Sequence, residues 1–133
     1  MPHFLRRIID WFLRLWRKRP RPVTNVETEI SMANVRIRYD LPTARVDGKA
    51  LPIDQIAGVR VLISADGGTN FGLLNVVPPS QNEYLQTELE AGTWVFRLEV
   101  EDTNGQRSAP VDLQAVIVPA LPNPVSNATA TVE

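Results

Sequence analysis

Two hydrophobic periods divide this chain. From Phe4 to Lys18 it reads Phe-Leu-Arg-Arg-Ile-Ile-Asp-Trp-Phe-Leu-Arg-Leu-Trp-Arg-Lys, and at about 100° per residue the apolar side chains share one arc. Phe4, Leu5, Ile8, Ile9, Trp11, Phe12, Leu13, Leu15 and Trp16 fill that arc, which spans roughly 200°. Arg6, Arg7, Asp10, Arg14, Arg17 and Lys18 fill the rest. The pattern predicts a basic amphipathic helix over residues 1–19. Pro20 and Pro22 stop it, because proline lacks a backbone N–H and disfavours helix in the residue before it. Residues 20–23 then read as a stiff Arg/Pro linker.

From Val23 onward the period changes to two. Val35, Ile37 and Tyr39 alternate with Arg36 and Arg38, and Val59, Val61 and Ile63 repeat the pattern. In the clearest run Trp94, Phe96, Leu98 and Val100 face one way while Arg97 and Glu99 face the other. Shorter strands are predicted at Val26–Ile30, Asn70–Val76, Tyr84–Leu89 and Val111–Val118. Turn chemistry separates them at Asp47-Gly48, Asp66-Gly67-Gly68, Pro78-Pro79, Ala91-Gly92 and Asn104-Gly105. About seven short strands without helical period between them predict a mainly β fold, a single antiparallel immunoglobulin-like sandwich over 24–118. The Pro/Asn/Thr-rich tail, 119–133, reads as flexible.

Charge adds an asymmetry that the near-neutral total conceals. Residues 1–22 hold seven Lys and Arg against one acid, a formal +6; residues 23–133 hold seven against fourteen, a formal −7. A basic arm on an acidic body predicts an anionic or acidic partner for the arm. The chain has no cysteine, which excludes disulfides and thiolate metal sites. No stretch of eighteen uncharged apolar residues exists, so the helix could lie on a bilayer but not span one.

The strands carry a recognisable string. Tyr39-Asp40-Leu41-Pro42-Thr43, Asp47-Gly48-Lys49-Ala50-Leu51 and Ile56-Ala57-Gly58-Val59-Arg60-Val61 resemble the B strand, B–C loop and C strand of bacterial and phage fibronectin type III domains. Leu89-Glu90-Ala91-Gly92-Thr93-Trp94-Val95-Phe96 is similar to that family's E–F corner and F strand. Asp102-Thr103-Asn104-Gly105-Gln106-Arg107-Ser108 is similar to its F–G hairpin. Tyr39 stands in place of the usual B-strand tryptophan. Trp94 stands near the family's corner tyrosine, so an indole N–H is the available substitute for the hydroxyl bond that fixes that corner. The resemblance implies a spacer or binding module of the kind found on extracellular enzymes and virion proteins.

Candidate chemistry is sparse. The sole histidine, His3, precedes the helix, so no nucleophile–base pair can be assembled on the body, and no enzyme activity is expected. Glu99, Glu101, Asp102 and Asn104 form the one oxygen-rich cluster with calcium-like composition, but a solvated strand face running into an Asn-Gly turn is the favoured account of it. Arg45, Asp47 and Lys49 lie in a B–C loop of about seventeen residues and are candidates for recognition. No metal, cofactor or small-molecule substrate is expected.

The arm is the feature that announces a partner. Phe4, Leu5, Ile8, Ile9, Trp11, Phe12, Leu15 and Trp16 are the expected anchoring residues; Arg6, Arg7, Arg14, Arg17, Lys18, Arg19 and Arg21 are expected to meet an anionic surface. Its arc is wider than a two-stranded coiled-coil seam requires, which suits a membrane surface or burial in a protein assembly. A nucleic-acid arm would explain the arginines but not nine apolar residues. The expectation is a non-enzymatic attachment protein within a larger assembly, a bacteriophage virion component held to a membrane or capsid shell. The alternative is a cellular peripheral membrane protein whose sandwich binds protein or carbohydrate.

Overall fold

Alternation becomes sheet in the computed structural model, which describes residues 18–119 and 130. The described residues form seven strands: β1 (Thr24–Ser31), β2 (Asn34–Asp40), β3 (Ile56–Ser64), β4 (Gly72–Val77), β5 (Glu83–Gln86), β6 (Gly92–Asp102) and β7 (Val111–Ile117). A 3₁₀ turn, Ile53–Gln55, precedes β3. The strands pair into two antiparallel sheets, β1-β2-β5 and β4-β3-β6-β7, as the period-two reading anticipates. The predicted helix over 1–19 lies outside the described residues but for Lys18 and Arg19, as does the 119–133 tail but for Pro119 and Ala130.

The faces follow the alternation. Val35, Ile37 and Tyr39 from one sheet meet Val59, Val61, Phe96, Leu98 and Val100 from the other, each at most 2% exposed. Fully burying each such side chain is worth roughly 1.5–3 kcal/mol. Trp94 and Ile63 are half-buried against the rim of this core. Outward positions carry charge in complementary cross-strand order: Glu27 faces Arg38 and Glu29 faces Arg36, with Arg36 in turn paired to Glu83 on β5. On the other sheet Arg97 grips Asp112 through two hydrogen bonds of 2.8 and 3.0 Å and covers the Phe71 ring, 4.0 Å from its centroid. That pairing holds the Asp112 carboxyl below its ordinary range.

Two strands end where local chemistry overrides the pattern. β4 starts at Gly72 rather than Asn70 because Asp66 claims the preceding residues: its Oδ1 accepts the Thr69 and Asn70 N–H groups at 3.1 and 2.9 Å. The Ser64 hydroxyl donates to the same oxygen at 2.5 Å, and with the Asn70 bonds drives the Asp66 carboxyl far below its ordinary pKa. β5 stops at Gln86 rather than Leu89 because Glu88 adopts a left-handed conformation, φ 58°, after which the Leu89 N–H bonds the Ala33 carbonyl at 2.9 Å.

Strand directions sort the loops to two ends. The proximal end gathers residues 18–23, the 41–55 loop, the 78–82 connection and the 103–110 turn. The distal end gathers the turn at Met32 and Ala33, the 65–71 loop, the 87–91 corner and residues 118–119.

Candidate functional site

The proximal end is where the described chain begins, and its polar groups converge on Arg45. The 41–55 loop folds into a small hairpin: the Arg45 N–H bonds the Lys49 carbonyl at 2.8 Å, Gly48 supplies the φ of 85° that its turn requires, and Asp47 Oδ1 accepts the Lys49 N–H at 2.9 Å. This hairpin lies along residues 18–23. The Val46 N–H bonds the Arg19 carbonyl at 2.9 Å and the Arg21 N–H bonds the Ala44 carbonyl at 3.3 Å. Pro20 and Val23 are buried beneath them. The Arg/Pro segment is therefore docked, not a free spacer. Its prolines leave few N–H groups to satisfy, which suits a segment packed against a loop.

Arg45 fastens three elements together. Its Nη1 donates to the Lys18 carbonyl at 2.8 Å and to Asp102 Oδ2 at 2.9 Å, and its Nη2 donates to Gln55 Oε1 at 3.0 Å. Asp102, 1% exposed, completes its coordination from the 103–110 turn, where its Oδ1 accepts the Asn104 and Gln106 N–H groups at 3.0 and 2.8 Å. The Thr103 N–H reaches the Gln55 carbonyl at 2.9 Å, and Arg21 Nε reaches the Arg45 carbonyl at 3.1 Å. A buried pair of this kind is held by its surroundings, and removing one partner strands the other.

These contacts place the residues that the sequence singled out on this side of the molecule. Arg45 has its guanidinium committed inside the molecule, whereas Asp47 and Lys49 stand exposed at the hairpin tip. The oxygen-rich cluster does not assemble: Asp102 faces the core side of β6 while Glu99 and Glu101 face outward toward Arg60. Among the described residues no group of three His, Cys, Asp or Glu side chains is placed to hold a metal. No described helix is long and apolar enough to cross a membrane.

Of the expected surface-contact residues, Lys18 and Arg21 are exposed and Arg19 half-buried at this end. Phe4, Leu5, Ile8, Ile9, Trp11, Phe12, Leu15 and Trp16, with Arg6, Arg7, Arg14 and Arg17, lie outside the described residues. Sequence reasoning missed Asp102 as the partner of Arg45, since fifty-seven residues separate them. The available signal was an acid continuing the inward register of Trp94, Phe96, Leu98 and Val100.

At the distal corner the Trp94 indole N–H donates to the Glu90 carbonyl at 3.0 Å, closing the turn into β6. This is an indole bond of the kind that the sequence offers in place of a corner hydroxyl bond. With sheets β1-β2-β5 and β4-β3-β6-β7 it fixes the architecture. The fold is a fibronectin type III-like sandwich. The chain is similar to the fibronectin type III domain derived from the human KIAA0970 protein, with TM-score 0.61 and 16% identity over 92% of this chain and 95% of that one. It is also similar to a computationally redesigned β-sandwich protein, with TM-score 0.59 and 18% identity over 79% and 97%. A β-1,2-glucanase from Parabacteroides distasonis matches with TM-score 0.55 and 15% identity, over 77% of this chain and 14% of the enzyme. These likenesses concern fold. No family model matches the chain, and no curated protein matches its sequence.

Proposed function

We propose that this chain is a non-enzymatic attachment protein, in which the basic amphipathic segment 1–19 holds a fibronectin type III-like sandwich to a surface. The observation that supports this reading most directly is the docked junction. Lys18, Arg19 and Pro20 are tied to the 41–55 loop and, through Arg45, to the buried Asp102. Load arriving through the segment passes into the core instead of into a swinging linker, which is what a tethered module needs.

The surface is a membrane or a structural shell, and the setting is a bacteriophage virion, as a minor capsid, spike-base or decoration protein. The resemblance of 24–118 to bacterial and phage domains supports that setting. A cellular peripheral membrane protein is the second reading, favoured by the exposed Asp47 and Lys49 at the hairpin tip, which would then contact protein or carbohydrate. Nine large apolar residues even half-buried offer on the order of 10 kcal/mol gross, and each nearby base adds up to about 1 kcal/mol on anionic lipid.

Flotation of the full chain with vesicles of anionic or neutral lipid tests the anchor. Binding to anionic vesicles at low salt, abolished by Trp11→Glu with Phe12→Glu, is the expected result. Failure to float would exclude lipid as the surface and leave a protein shell. Flanking genes that encode neither capsid nor packaging proteins would sink the virion setting.

A further inference from the structure

The two ends of the sandwich differ in charge and in apolar exposure. The proximal loops carry Lys18, Arg19, Arg21, Arg45, Lys49 and Arg107 against Asp47, Asp54 and the adjoining strand-end acids Asp40, Glu83 and Asp102, six bases to five acids. The distal loops carry Asp66, Glu88 and Glu90 and no base. The distal end also holds an open apolar groove of about 610 Å³. Ile30, Met32, Leu89, Val116 and Val118 line it. Met32 is 91% exposed and sits at the tip of the β1–β2 turn with φ 56°, a conformation that Gly or Asn adopts more readily. Ile30, Val116 and Val118 are 45%, 50% and 73% exposed, so half of the large apolar side chains most exposed among the described residues cluster here.

We infer that this groove receives residues 4–16 of a second copy of the chain, so that molecules associate head to tail. The occupant is chosen by chemistry. The groove is apolar with Glu88 and Glu90 beside Leu89, and the segment presents a broad apolar arc bordered by Arg6, Arg7, Arg14 and Arg17. Anionic lipid would be disfavoured by the distal loops, whose charges are Asp66, Glu88 and Glu90 with no base. The occupant comes from another molecule because of reach. Lys18 is fixed at the proximal end, and the helix that the attachment reading gives to the preceding residues would extend about 21 Å from it to Phe4. The eleven residues of β6 run the length of the sandwich, roughly 36 Å. A molecule's own segment therefore falls short of its distal groove, while its neighbour's groove can stack beneath it, basic end on acidic end. Such a contact joins two different surfaces, so it propagates into rings or open chains rather than closing as a symmetric dimer.

This inference rests on the attachment reading for the role of residues 4–16 and names their partner. Complementation tests it with the full chain. Wild type should sediment at low salt as species larger than monomer that grow with concentration. Met32→Glu/Val116→Glu blocks the groove, Trp11→Glu/Phe12→Glu blocks the segment, and each variant alone should associate at least tenfold more weakly. Mixed in equal amounts, one intact groove meets one intact segment, and a 1:1 dimer should appear. The substituted groove positions are exposed, so at dilutions where both are monomeric the melting curves of that variant should match wild type.

A groove variant that still associates, or a mixture that stays monomeric, overturns the proposal. So does a groove variant that melts earlier with association unchanged, since the groove would then be covered by its own chain. Vesicle flotation separates the two readings: flotation with a monomeric mixture leaves attachment standing and removes head-to-tail association.

Discussion

Tyr39 shows how a single atom sets a liability. Its ring fills the centre of the core, 2% exposed, but its hydroxyl is buried without a hydrogen-bond partner. Burial pushes its pKa up to about 12 from an ordinary 10.0. The native state thus holds this proton more tightly than the unfolded chain does. Stability from this group is complete below pH 10.0, falls as pH rises between the two values, and is lost through about 12. Tyr39→Phe removes both the orphan hydroxyl and the titration. Urea melts at neutral pH should show the variant as stable as wild type or about 1 kcal/mol more so. At pH 11 its advantage should widen, and an unchanged gap would count against the burial argument.

Gly58 is constrained by contact, not by conformation. A Cβ there would lie 2.7 Å from Val76 Cγ1 and 2.7 Å from the Val77 carbonyl oxygen of the neighbouring strand. Backbone cannot yield as a side-chain tip does, so Gly58→Ala should destabilise by about 1–3 kcal/mol in denaturant melts, by overpacking. The sequence shows this glycine in a strand, but only the pairing of β3 with β4 shows why.

Among elements, strands were legible and their fastenings were not. Val35, Ile37, Tyr39, Phe96, Leu98 and Val100 declare their face by alternation, and a half-buried sheet leaves them no other placement. Strand ends were less legible, since side-chain oxygens such as that of Asp66 compete with the ladder for backbone N–H groups. The Arg45–Asp102 pair was invisible because its partners meet only after both sheets have formed. Its cost of disruption follows from burial, with Asp102 fully enclosed and Arg45 13% exposed. Arg45→Ala should lower stability by about 3 kcal/mol. Adding Asp102→Ala should cost less than the sum of the separate losses, because the second change removes an already stranded charge. A double-mutant cycle measured by equilibrium unfolding reads this coupling directly, and strict additivity would refute the pairing argument.

For the molecule as a whole, the folded unit begins earlier than the alternation does. The strand pattern places its start near residue 24, but Pro20 and Val23 are buried and Lys18 and Arg19 carbonyls accept bonds from the 41–55 loop. At dilutions where the full chain is monomeric, a chain starting at Lys18 should melt as the full chain does, whereas one starting at Thr24 should lose about 3 kcal/mol. Calorimetry of the two truncations decides the boundary, and equal melting would make the docked segment dispensable. The division of charge between the ends was likewise hidden, because acids and bases are interleaved along the body and only the alternating strand directions sort their loops.

The distal corner tether carries one more implication. A phenol in that position would begin to ionise near pH 10 and surrender its donated proton. The indole of Trp94 has no such transition in water, so its link to the Glu90 carbonyl survives alkali that a tyrosine latch would not. Base should consequently attack this molecule from its middle, leaving the hinge into β6 among the last contacts to open.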